Sequence, residues 1–152
     1  LTFRVNAAWM DAEFNEFEAD TNYDGIADVD LSDQEPTRAP EWMGGAEAEY
    51  VYPLGDAGDV AANLRVSYED ESIYSYSDIG SQYDTTLDPK TLWDAAIGWT
   101  STDDKYFVRA VGKNLTDQRY RTGVLAVATI WTMSAYGMPR YYGLEFGAKF
   151  DF

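Results

Sequence analysis

The sequence predicts an all-β chain, an antiparallel up-and-down meander of about six strands that forms part of the wall of a membrane-spanning β-barrel. Three observations carry that expectation. Six segments alternate apolar and polar residues with a period of two. The connections between them alternate between long and short. The apolar face keeps its aromatic residues at the strand ends and small residues in the middle, the reverse of a packed soluble core.

The six segments are residues 1–14, 40–52, 60–69, 91–100, 106–115 and 141–152. Connections 15–39, 70–90 and 116–140 are long, whereas 53–59 and 101–105 are short and rich in Pro, Gly, Asp and Ser. Outer-membrane barrels have long loops outside the cell and short turns in the periplasm. On that scheme the last strand runs inward and Phe152 lies on the periplasmic side.

The faces follow from parity. From residue 40 onward, one parity of the five strands carries no charge at all. The other holds Glu41, Glu47, Glu49, Arg65, Glu69, Asp94, Arg109, Lys113, Glu145, Lys149 and Asp151. On the uncharged parity, Trp42, Tyr68, Trp93 and Tyr142 fall near one end of the strands; Tyr50, Tyr52, Trp99, Tyr106, Phe150 and Phe152 fall near the other. This is the arrangement of two aromatic girdles around an apolar band. Trp42 to Tyr50 spans ~27 Å of strand. With a tilt of ~40° this gives roughly 20 Å along the membrane normal, close to the height of such a band. The alternative is a soluble β-sandwich or barrel, in which the same parity is the core.

Composition excludes several function classes. The chain has 152 residues, no Cys and no His, which removes thiol and zinc chemistry and Ser-His-Asp catalysis. Its net charge of −16 repels nucleic acid. Aromatic content of 16% argues against an acidic disordered chain. No run of 18 apolar residues exists, so no transmembrane helix is expected, a test to which barrel strands do not respond. The chain begins at Leu1 without Met or a signal peptide and is read as a piece of a longer protein, residues 1–152 forming its C-terminal barrel segment.

Three motifs carry a family resemblance. Lys113-Asn114-Leu115-Thr116-Asp117-Gln118-Arg119-Tyr120 is similar to the end of the penultimate strand of TonB-dependent receptors. Tyr136-Gly137-Met138-Pro139-Arg140-Tyr141-Tyr142-Gly143 resembles the entry to their last strand, and Arg38-Ala39-Pro40-Glu41-Trp42 resembles a strand start upstream. The resemblance covers the whole chain. It implies a 22-stranded barrel with a plug in its lumen, of which this is the last part, the plug and its TonB-contacting box lying elsewhere. It also implies an integral protein of the Gram-negative outer membrane that takes up a scarce nutrient, with a ferric siderophore complex as the commonest substrate. Cobalamin, haem and oligosaccharide are alternatives, as are a passive porin or adhesion barrel and a soluble calcium-dependent lectin-like domain. The implied partners are outer-membrane lipid, the barrel assembly machinery, the TonB complex acting through the plug, and an extracellular ligand.

The candidate sites are then as follows. Tyr142, Leu144, Phe146, Phe150 and Phe152 share one face of the last strand and resemble the signal read by the assembly machinery. Physically, a last strand is an unpaired edge open to strand addition until the barrel closes. Asp20, Asn22, Asp24 and Asp28 fit the spacing D-x-N-x-D-G-x-x-D of a calcium loop, with Gly25 at the sharp turn. The usual Glu at position 12 is replaced by Leu31. The other reading is a solvated acidic loop, since residues 11–35 hold ten acids and no Lys or Arg. Arg119, Arg121 and Arg140 are candidates to contact an anionic chelate, or else to pair with the surplus acids. Trp131 and Tyr136 are candidates to stack on a ligand, or else to pack in the loop. The sequon Asn114-Leu115-Thr116 is discounted at a bacterial strand end. No two lumenal carboxylates are placed for glycosidase chemistry, so no catalytic residue is assigned.

Overall fold

The computed structural model describes residues 1–20, 24–76, 84–127 and 131–150. The strands are β1 (Thr2–Trp9), β2 (Glu18–Ala19), β3 (Val29–Asp30), β4 (Trp42–Pro53), β5 (Asp59–Glu69), β6 (Ser72–Ile73), β7 (Thr86–Leu87), β8 (Lys90–Thr100), β9 (Tyr106–Lys113), β10 (Arg121–Val127), β11 (Trp131–Tyr136) and β12 (Tyr141–Ala148). Six of them form one antiparallel sheet in the order β1-β4-β5-β8-β9-β12, which is the expected nearest-neighbour meander. Its outermost strands do not pair with each other. A 3-10 turn at Gly55–Ala57 joins β4 to β5.

The register verifies the face assignment. Directly opposed residues share a face in an antiparallel pair. The pairs Ala48↔Leu64, Leu64↔Ala95, Ile97↔Ala110 and Phe146↔Val108 therefore run across one face. Glu47↔Arg65, Arg65↔Asp94 and Glu145↔Arg109 run across the other. β1 joins the same scheme, with Val5↔Ala46 on the apolar side and Arg4↔Glu47 on the charged side.

The sheet is a single layer. Val5, Leu144 and Phe146 are 78%, 77% and 85% exposed. The buried large hydrophobics among the described residues are Leu31, Leu87 and Val124, all in the loop hairpins. A soluble sandwich would cover the apolar face with a second sheet; no such layer occurs among the described residues. The bare apolar face with aromatic ends is what a strand wall in lipid requires.

Two features depart from the expected outline. β1 ends at Trp9 rather than residue 14. The Met10 N–H still donates to the Glu41 carbonyl at 2.9 Å, but Phe14 packs against Phe17 in a tilted arrangement with ring centroids 4.7 Å apart. A ring that finds an aromatic partner in the loop leaves the alternation it would have continued. Secondly, each long connection contains a small antiparallel hairpin: β2-β3, β6-β7 and β10-β11. The third is substantial, with Val124 3% exposed. Residues 121–131 hold an apolar, β-branched run with no Asn, Asp or Pro to mark its turn. That run was the available signal for it.

The short-turn end is knitted together. The Trp99 indole N–H donates to the Ala57 carbonyl at 2.7 Å, and the Thr102 hydroxyl to the Asp56 carbonyl at 2.9 Å. Gly58 adopts φ +95° and lies so close to the Thr100 carbonyl that a side chain there would overlap it.

Candidate functional site

The charged face carries a ladder of ion pairs from strand to strand. Arg4 reaches both Glu47 and Glu49 at 3.3 Å, Lys113 reaches Asp94 at 2.8 Å, and Arg109 lies 3.6 Å from Glu145. The Asn63 amide donates to Glu47 at 2.6 Å. Opposite charges across neighbouring strands let a water-facing wall carry them without mutual repulsion.

At the long-loop end of β9 the segment Lys113–Tyr120 forms a hydrogen-bonded knot. Asn114 is 5% exposed and has φ +49°, a conformation Asn tolerates better than most residues. Its amide N–H donates to the carbonyls of Gln118 and Met138, and its side-chain oxygen accepts the Gln118 N–H. Its own backbone N–H donates to Asp94 at 3.0 Å. Gln118 in turn accepts the Thr91 N–H at 2.8 Å. The motif thus fastens the start of β8, the end of β9 and the approach to β12. Gly137 completes it: its N–H donates to the Tyr120 carbonyl, and a Cβ at this position would overlap the Tyr120 ring.

The five ligand candidates separate into distinct places. Arg121 is a clamp between the second and third long connections. Its Nη2 lies 2.8 Å from Asp84 and 3.4 Å from Asp88, and its side chain is only 14% exposed. The Arg121 hydrogen bond, helped by the Thr86 N–H, holds the Asp84 carboxyl below the usual carboxylate range. The Asp84 hydrogen bond likewise raises the Arg121 guanidinium. Arg119 stacks on Tyr136, its Cζ 4.2 Å from the ring centroid. The Arg140 backbone N–H donates to Asp117 at 2.9 Å and its guanidinium to the Leu115 carbonyl at 3.4 Å. Trp131 begins β11 and Tyr136 ends it, so the two rings sit at opposite ends of one strand. The structure brings Arg119 and Tyr136 together and does not gather all five.

In the first long connection Gly25 adopts φ +88° and its N–H donates to Asp20 at 2.8 Å; the Ile26 N–H donates to Asp24 at 2.8 Å. The expected sharp turn is present. Asn22 lies outside the described residues. Leu31, at the position where a calcium loop usually has its bidentate Glu, is 6% exposed and packed in the small loop core. Among the described residues no group of three or more acidic side chains is gathered to hold a metal.

On β12, Tyr142, Leu144 and Phe146 share the apolar face, opposite Gly112, Ala110 and Val108. Phe150 is 70% exposed, and Phe152 lies outside the described residues.

The three long connections pack on one another. The Arg38 N–H donates to the Ile73 carbonyl at 2.7 Å, Phe14 meets the Tyr76 ring edge-on at 6.3 Å, and Gly123 packs against Tyr74. Sequence reasoning missed this cap, because loop-to-loop contacts leave no period in the chain.

The fold has a counterpart among solved structures. It is similar to the ferric yersiniabactin uptake receptor FyuA from Yersinia pestis, with a TM-score of 0.65 and 17% identity over 82% of this chain. The chain spans 18% of the length of that receptor chain. No family model and no curated protein matches the sequence. The fold is therefore similar to that of a segment of the FyuA chain, in agreement with the barrel-segment fold that the three motifs imply.

Proposed function

We propose that the chain is wall and extracellular cap of an outer-membrane receptor that imports a scarce nutrient with energy delivered through TonB. The observation that carries this reading is the single-layer sheet with one bare apolar face ending in aromatics and one ion-paired face. The apolar side meets outer-membrane lipid, the charged side lines a lumen, the long loops lie outside the cell and the C-terminus lies in the periplasm. FyuA, to which the fold is similar, is a ferric yersiniabactin uptake receptor. A ferric siderophore complex is accordingly the substrate class we assign, and the aromatic face of β12 is the element we assign to recognition by the assembly machinery.

The test is deletion of the full-length gene in its own host, followed by uptake of radiolabelled ferric chelates under iron limitation. Loss of uptake of at least one chelate, matched by loss in a strain without TonB, is expected. Unchanged uptake of every iron chelate refutes the substrate class. Uptake that persists without TonB refutes the transport class.

A further inference from the structure

At the long-loop end of the charged face, a cavity of about 270 Å³ is lined by Arg38, Glu69, Ser72, Leu87, Lys90 and Thr122. All three long connections contribute to it. Glu69 and Lys90 face each other directly across β5 and β8, on the same side as Arg65 and Asp94, so the cavity opens over the ion-paired wall.

Among the described residues, the charges within it do not cancel. Lys90 lies 2.6 Å from Glu69, and the two neutralise each other. Arg38 has no carboxylate within ion-pair distance among the described residues, in a chain with 27 acids and 11 bases. Its guanidinium instead lies over the Tyr74 ring, 4.5 Å from the centroid, while Lys90 lies 5.7 Å from the Tyr120 centroid. Stacking occupies the flat face of a guanidinium and leaves its edge N–H donors for a pair of oxygens.

The backbone adds a second observation. Arg38 has φ +58°, a conformation uncommon for a residue with a long side chain. Its N–H donates to the Ile73 carbonyl at 2.7 Å, which ties this conformation to the second long connection. A positive-φ position kept by its surroundings, bearing at a cavity a cation without an ion-paired carboxylate among the described residues, is the kind of outlier that accompanies ligand sites.

We infer that Arg38, backed by Lys90 and the hydroxyls of Ser72 and Thr122, forms a recognition site for a carboxylate-bearing ligand group. The volume lies below that of an ordinary small-molecule pocket, so the site takes one anionic arm of a larger ligand and not the whole. The ligand's being an imported nutrient rests on the proposed function; the site itself does not.

The experiment uses the full-length receptor in detergent, with citrate as probe, read by saturation-transfer NMR and calorimetry up to roughly 10 mM, beyond a weak millimolar complex. Saturable binding that weakens with salt is expected. Arg38→Gln should weaken it roughly tenfold or more, as loss of a charged hydrogen-bonding partner does. Thr122→Val, which keeps volume and removes the hydroxyl, should weaken it several-fold. Lys149→Gln, a cation at the other end of the wall, should leave it unchanged. Heat-modifiable gel migration confirms folding of each variant. No saturable binding by the parent, or undiminished binding by both Arg38→Gln and Thr122→Val, overturns the site. TonB-dependent uptake is measured separately. Its absence with citrate binding intact refutes the receptor role and leaves the site standing, whereas its presence with citrate binding unaffected by the two variants does the reverse.

Discussion

Arg121 in the third long connection and Asp84 in the second are joined at 2.8 Å, with a further bond from the guanidinium to the Asp84 backbone carbonyl at 3.1 Å. The pair ties two loops that are 37 residues apart in sequence. Replacing Arg121 by Gln should therefore raise amide hydrogen exchange in residues 84–88 and 121–125 together at neutral pH. The main sheet should keep its protection, and global stability should fall by only about 1 kcal/mol, because Asp84 is largely solvated. Exchange that rises in one loop alone would mean that the clamp does not couple them.

The same pair has a pH dependence of fixed sign. Asp84 titrates lower in the folded protein than in the unfolded chain, because Arg121 and the Thr86 N–H donate to its charged form. The clamp thus contributes fully above the unfolded value of about 3.9 and is lost as pH falls through the lower folded value. Native loop exchange, corrected for intrinsic rates, should approach that of Arg121→Gln only below about pH 3.9. A transition near neutral pH would assign the coupling to another group.

The face assignment is open to a direct energetic check. Leu64 sits mid-strand on the apolar side, opposite Ala48 and Ala95. Leu64→Arg should cost about 2–4 kcal/mol of barrel stability in lipid. Asn63→Arg, one residue away beside Glu47, should change it by roughly 1 kcal/mol or less. Equal costs in a reversible unfolding titration would show that the two faces do not differ in environment.

The knot at the end of β9 predicts a coupled pair. Gly137→Ala should destabilise by about 1–3 kcal/mol, since the added methyl meets the Tyr120 ring. In a Tyr120→Ala background the same substitution should cost much less. Strict additivity in the double-mutant cycle would move the strain elsewhere.

For the acidic loop, the burial of Leu31 removes the position that usually closes a calcium shell. Calorimetry on the full-length protein should find no calcium binding at residues 20–28 tighter than about 1 mM. Tighter binding abolished by Asp20→Asn with Asp24→Asn would restore a functional calcium loop.

The sheet was legible in the sequence because a strand with one apolar and one charged face must alternate. Arg65 and Leu64, adjacent in the chain, could only be on opposite faces, and the register agrees. The cap was not legible to the same degree. Arg38 stood out only as part of a strand-start motif and Arg121 only as a candidate for an anionic group, yet Arg121 is a largely buried clamp and Arg38 lines a cavity with no ion-paired carboxylate among the described residues. What separates them is which distant segment each meets, and no local period encodes that. The Asn114 motif lies between these cases: its residues stood out, but its work as a fastening appears only when Gln118, Met138 and Asp94 come together.

The two outermost strands of the large sheet leave one side of β1 and one side of β12 without a partner strand among the described residues. Each is eight residues long. Expressed as it stands in water, this polypeptide offers a different adhesive rim at each flank. Copies joining β12 of one to β1 of the next would meet head to tail, a contact that never uses itself up and so extends into ribbons rather than stopping at a dimer. Recovery from inclusion bodies is the outcome expected of a sheet with two such open flanks.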